Sequence, residues 1–159
     1  ISTGSTTNRI DGPQFFQLLD TSAPESLNRS LIKKWMIGTY DEEFGKVPFI
    51  ILSTDFFQNT FAGMLKWESD MPDEMAILFD YEDRARQDNG TTTINSFFTI
   101  RGKFQDRVVL NRDVRAFISE NGELLILYSF VDKDTLIMTT NEETLKKLIQ
   151  KIEKQSYLR

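Results

Sequence analysis

From Arg107 to Thr139 the chain is written as short β-rich runs parted by turn residues, and this block limits the fold more than any other. "RVVLNRDVRAFISE", then Asn121-Gly122, "ELLILYSF", "VDKD" and "TLIMTT" follow in direct succession. An Asn-Gly pair between two β-rich runs predicts a two-residue turn with both residues at positive φ. Strands joined this closely pair antiparallel, because a parallel pair needs a crossover of a dozen residues or more. "TNEE", Thr140 to Glu143, then has capping-box spacing and opens a last helix. In that helix Leu145, Leu148, Ile149 and Ile152 recur at helical spacing, with lysines on the other faces.

The first half fits the same plan. Residues 1–12, "ISTGSTTNRIDG", are small and polar and read as a linker. "PQFFQLLDTSAPESLNRSL" gives two short helical pieces, with Pro24 at the start of the second. "IKKWMIGTYDEEFGKVPFIILST" reads as a hairpin. Trp35, Ile37 and Thr39 share one face of its first strand, and Met36, Gly38 and Tyr40 share the other. "VPFIILS" is continuously apolar, so both of its faces are covered. At about 100° per residue, Phe57, Phe61, Met64, Leu65, Glu68 and Met71 form one stripe, with Trp67 at its edge. Asp70 and Pro72 open a further short helix that turns Met75, Leu78 and Phe79 inward. Residues 80–96, "DYEDRARQDNGTTTINS", read as an exposed loop. The sum is an α+β fold: a mostly antiparallel sheet with helices packed on one face and a C-terminal helix last, in a single domain over residues 13–159.

Composition removes several chemistries. The chain has no Cys and no His, which excludes cysteine nucleophiles, histidine triads and the usual zinc and iron ligand sets. No metal or cofactor is expected. The net charge of −5, with its basic residues scattered among acids, argues against nucleic acid as a partner.

The stretch "FAGMLKWESDMPDEM" holds the most interesting candidates. Glu68 falls in the middle of an apolar stripe, where a carboxylate can act as a general acid. The plainer alternative pairs it with an Arg or Lys. Asp70, Asp73 and Glu74 lie close enough in sequence to suggest a carboxylate pair, as in glycoside hydrolysis, although all three suit helix capping and helix N-termini. Other patterns are weaker. Ser30 and Lys33 have Ser-x-x-Lys spacing but lack the companion motifs of penicillin-binding enzymes. Arg101, Lys103, Arg107, Arg112 and Arg115 would make an anion-binding strip, or simply the solvent side of a sheet. "DEEFG" and "DYEDRARQDNG" are acid-rich without the calcium-loop pattern. No catalytic residue is assigned.

"FFQLL", "SLNRSL", "MIGTY", "VPFIIL", "FAGMLKWESDMPDEM", "LNRDVRAF", "LLILYSF" and "DTLIMTTNEETLKKLI" together resemble a family of single-pass membrane proteins, of uncharacterised activity, from candidate-phyla bacteria of the Parcubacteria type. The resemblance spans roughly residues 13 to 152. It implies a hydrophobic anchor upstream of Ile1, a polar tether, and a domain on the extracytoplasmic face of a bacterial membrane. It implies no catalytic residue.

The expected function is therefore a non-catalytic, membrane-tethered domain that binds a protein or cell-envelope component. Its contact surface is expected at the corner holding Trp67, Glu68, Asp70 and Asp73, together with the loop over residues 80–96. The alternative is a small carboxylate-dependent hydrolase acting on glycan or peptide, with Glu68 and Asp70 or Asp73 as its pair. A third is a structural subunit that self-associates.

Overall fold

The computed structural model describes residues 12–79 and 99–157. Among these lie five helices and six strands. Helices α1 (Gly12–Leu18) and α2 (Glu25–Ser30) lead into the hairpin β1 (Leu31–Glu42) and β2 (Gly45–Thr54). Helices α3 (Phe57–Trp67) and α4 (Met71–Met75) follow. Then come β3 (Gly102–Val109), β4 (Arg112–Ser119), β5 (Leu124–Phe130), β6 (Thr135–Thr139) and the final helix α5 (Glu142–Ser156). The expected linker lies outside the described residues apart from Gly12, and so does the expected loop over residues 80–96.

The strands form one antiparallel sheet in the order β1-β2-β6-β5-β4-β3. Within the sheet, two locally built units, the β1–β2 hairpin and the β3–β4–β5 meander, are joined by β6, which slots between β2 and β5. Alternation along the strands divides the core in two. Ile50, Leu52, Phe117, Ile126, Tyr128, Leu136 and Met138 face α1–α4. Phe49, Val114, Ala116, Leu127 and Ile137 face Leu145, Leu148 and Ile149 of α5. The α+β fold is as expected, and α1–α4 do share a face, while α5 covers the opposite one. The unbroken apolar runs of β2 and β5 require this, since residues pointing both ways must all be buried.

Three local details differ from expectation. The turn with two residues at positive φ is Leu110–Asn111 (φ 50° and 58°), joining β3 to β4. At Asn121-Gly122 only Gly122 is left-handed (φ 83°), in a wider loop closed by Ser119 N–H to the Glu123 carbonyl at 2.9 Å. The cap of α5 is Asn141, whose Oδ1 accepts from the Thr144 N–H at 3.0 Å, rather than Thr140.

Helix α3 is turned relative to its expected phase. Its buried residues are Thr60, Gly63, Met64 and Trp67. Gly63 lies so close to α2 that a Cβ there would stand 2.6 Å from Leu27 Cβ. Thr60 meets Ser30 and Thr54 in a buried hydroxyl cluster. Thr60 Oγ1 lies 2.8 Å from Ser30 Oγ, Ser30 Oγ donates to the Leu27 carbonyl at 2.8 Å, and Thr54 Oγ1 donates to the Ser30 carbonyl at 2.8 Å. Small and hydroxylated residues thus face the core here because α2 approaches closely and supplies partners.

Candidate functional site

The α3–α4 corner is built around Trp67, which is 1% exposed. Its ring packs edge-on against Phe16, with centroids 5.2 Å apart. Its Nε1–H donates to Glu74 Oε2 at 2.5 Å, satisfying the one polar group of a buried indole. Glu74 in turn accepts from the Ser22 N–H through Oε1 at 2.7 Å, tying α4 to the α1–α2 connection. Trp67 is therefore a core anchor, and the expectation that it forms a contact surface is corrected. A Trp two positions past Leu65 reads as a stripe edge only when Phe57 is assumed to point inward.

Glu68 leaves the end of α3 and reaches over the sheet. Its carboxylate accepts from Arg115 Nε at 2.7 Å, from Arg115 Nη2 at 2.6 Å and from the Tyr128 hydroxyl at 2.8 Å. Arg115 also donates through Nη1 to Asp106 Oδ1 at 2.8 Å, and its guanidinium stands 5.8 Å from the centre of the Phe104 ring. The forked contact with Glu68 holds the Arg115 guanidinium further above its already high range. Burial, followed by the Glu68 charge, pushes the Tyr128 hydroxyl well up. Glu68 is thus the acceptor at the centre of an ion pair, as in the paired alternative.

The neighbouring acids are spent on other contacts. Asp70 Oδ2 accepts from Ser22 Oγ and Ser69 Oγ, both at 3.1 Å. Asp73 Oδ1 accepts the Ile100 N–H at 2.6 Å, fixing the entry to the second half of the chain. Burial raises the Asp73 pKa, with the Asp70 and Glu74 charges adding to it against the Ile100 bond. Glu68, Asp70 and Asp73 thus bind three separate sets of partners: Arg115 with Tyr128, Ser22 with Ser69, and the Ile100 N–H. Among the described residues no three acidic side chains are grouped to hold a metal ion.

The remaining candidates resolve in the same way. Ser30 Oγ is buried and already committed within the hydroxyl cluster. The arginines do not form one strip. Arg107 and Arg112 pair with Glu142 and Glu153 of α5, while Arg115 projects from the other face to Glu68. Of the two acid-rich turns, "DEEFG" places Glu42 against Thr144 and Lys147 of α5, at 2.9 and 2.5 Å. "DYEDRARQDNG" lies outside the described residues.

What the turn of α3 exposes is a row that sequence reasoning placed inside. Phe57 and Phe61 are each 39% exposed and Leu65 is 40% exposed. Phe57 and Phe61 stack at 5.9 Å, and Phe57 meets Phe130 of β5 edge-on at 4.8 Å. Phe56, at the start of the helix, is more exposed still. The face that carries Phe130 continues past Arg115 onto Asp113, Asp106 and the exposed Val108 of β3. The result is an apolar ledge along α3 beside an open strip of sheet. Exposed Asp55 adjoins Phe56, Asp113 faces Val108 across β3–β4, and Asp132 and Asp134 follow Phe130, with exposed Lys66 beside Leu65 and Lys133 between the last two acids. The signal for this surface was the i, i+3, i+4, i+7 set of Thr60, Gly63, Met64 and Trp67, which defines the inward side once Gly63 is read as a contact point.

Comparison with protein-family models, with curated proteins and with solved structures returned no match.

Proposed function

We propose that this chain is a non-catalytic binding domain that works through the α3 ledge. The observation supporting this is the row Phe57, Phe61 and Leu65 beside Phe130. These are large apolar side chains gathered on one surface instead of scattered singly. Aromatic side chains presented by a rigid helix lose little entropy on contact and act as anchors. Acids outnumber lysines beside the row, with Asp55, Asp113, Asp132 and Asp134 against Lys66 and Lys133, which favours a partner of opposite sign. The partner class is therefore a protein segment that presents apolar side chains flanked by Lys or Arg. The likeness in "FAGMLKWESDMPDEM" and "DTLIMTTNEETLKKLI" supports a further part of the reading: the domain is held on the extracytoplasmic face of a bacterial membrane by an upstream anchor. No described helix is long and apolar enough to cross a membrane, so such an anchor would have to lie elsewhere in the protein.

The test is site-specific photo-crosslinking in cells that make the full-length protein. Benzoylphenylalanine at position 61 is expected to give a discrete adduct that is absent when it replaces Ile77, an exposed apolar residue just after α4 rather than on α3. Phe57→Ala and Asp113→Lys should each weaken the position-61 adduct. Identical adducts at 61 and 77 would remove the basis of the reading. Membrane fractionation of the same cells tests the tether separately.

A further inference from the structure

Strand β1 ends the sheet on one side, and from Met36 to Glu42 no described strand pairs with its outer edge. Exposed edges are commonly blunted by charges, prolines or bulges. The other outer strand, β3, follows this pattern, with Lys103, Asp106 and Arg107 along its eight residues. The middle of β1 does not. Met36 is 56% exposed and Ile37 42% exposed, and Gly38 beside them carries no side chain. The charges of β1 sit toward its ends instead: Lys33 and Lys34 near the start and Asp41 near the finish, with Glu43 just beyond it in the turn, while Glu42 is taken up by Thr144 and Lys147 of α5. The one irregularity against β2 falls between Leu31 and Trp35, ahead of the apolar middle.

We propose that this edge pairs antiparallel with β1 of a second copy of the same chain. The charge order decides the partner and its direction. Parallel self-pairing would set lysine beside lysine and acid beside acid. Antiparallel self-pairing sets the lysine end of each copy beside the acidic end of the other. A two-fold axis perpendicular to the sheet keeps corresponding faces together, so facing residues have numbers of the same parity. Centring the axis on Ile37 brings Ile37 opposite Ile37 and Met36 opposite Gly38. At Gly38 the Phe49 ring stands 2.9 Å from where a Cβ would lie, so Met36 of the second copy meets an aromatic surface that any other residue would cover. The two sheets then continue as one of twelve strands.

A strand-edge contact of this length is at the small end of specific interfaces, so the association is concentration-dependent. Sedimentation velocity on the full chain, from about 1 μM to about 1 mM, spans the affinities such an edge provides. The expected result is a shift from monomer to dimer mass across the series. Ile37→Lys, which places two cations at the axis, should raise the dissociation constant at least tenfold. Two further variants act only at the strand ends. K33E/K34E and D41K/E43K should each remain monomeric alone, with far-UV circular dichroism unchanged, and should form the dimer when mixed. A monomer mass at every concentration, a dimer indifferent to Ile37→Lys, or a mixture that stays monomeric would each overturn the proposal.

Discussion

Replacing Glu68 by Ala tests whether the Glu68–Arg115–Tyr128 cluster is structural. The substitution removes three hydrogen bonds, two of them to a cation. Bonds to charged groups are worth about 1.5–3 kcal/mol each, and a buried donor left without an acceptor costs about 1–3 kcal/mol. These figures do not add in full. Arg115 keeps its bond to Asp106, but that acid is 89% exposed and holds it as a surface partner, worth at most about 1 kcal/mol. Glu68 and Arg115 retain 13% and 22% side-chain exposure, so water recovers part of the loss. Tyr128, 1% exposed, has no such relief. The expected cost of Glu68→Ala is about 2–4 kcal/mol, near that of breaking a largely buried pair. Tyr128→Phe alone should cost about 1 kcal/mol. The double variant should cost less than the sum by about 1 kcal/mol, because the orphaned hydroxyl is gone. Urea unfolding followed by the combined fluorescence of Trp35 and Trp67 reads all three, with an unchanged slope confirming that only stability moved. A loss below about 1 kcal/mol for Glu68→Ala, or strict additivity in the double variant, would refute the reasoning.

Three further outcomes follow from the structure. The Asp73 pKa is raised above its ordinary 3.8, so its contribution to stability is present below that value and is lost as pH rises through the folded-state pKa. Asp73→Asn keeps an oxygen for the Ile100 N–H and should match or exceed the parent in melting temperature at neutral pH, with the difference closing toward about pH 4. Gly63→Ala gains up to about 1 kcal/mol of helix propensity but drives a methyl to 2.6 Å from Leu27 Cβ. Overpacking should prevail, with a net loss of about 1–2 kcal/mol by chemical denaturation. Leu110 holds a left-handed backbone at φ 50°, so Leu110→Asn should raise stability by about 1 kcal/mol, read as a higher melting temperature.

The elements that sequence reveals here are those whose signals are local. The β1–β2 hairpin turns at Glu43–Phe44 within the expected stretch, and α5 follows its apolar spacing. The phase of α3 was not legible, because Phe57, Phe61 and Leu65 outweigh Thr60 and Gly63 on any hydrophobic count. What turns the helix is the close approach of α2, which brings the Ser30 hydroxyl from a distant part of the chain, together with the hydroxyl of nearby Thr54 at the end of β2. That error carried Trp67 to the surface and the phenylalanines to the core. The pairing of Glu68 was anticipated as the plainer alternative, but its partners Arg115 and Tyr128 could not be named without the sheet order. The Leu110–Asn111 turn was missed because Leu is not a turn residue, and the ladder from Val109↔Arg112 onward forces it.

The position of β6 has a consequence for synthesis on the ribosome. Residues 45–54 emerge early, yet the strand that closes their inner edge is residues 135–139. At about 5–20 residues per second, Ile50, Ile51 and Leu52 wait roughly 4–17 s for Leu136, Ile137 and Met138 to be translated. Through that interval the nascent hairpin offers an open, oily template to any passing polypeptide. Chaperone dependence during translation, rather than after release, is where a fold with this strand order would show its weakness.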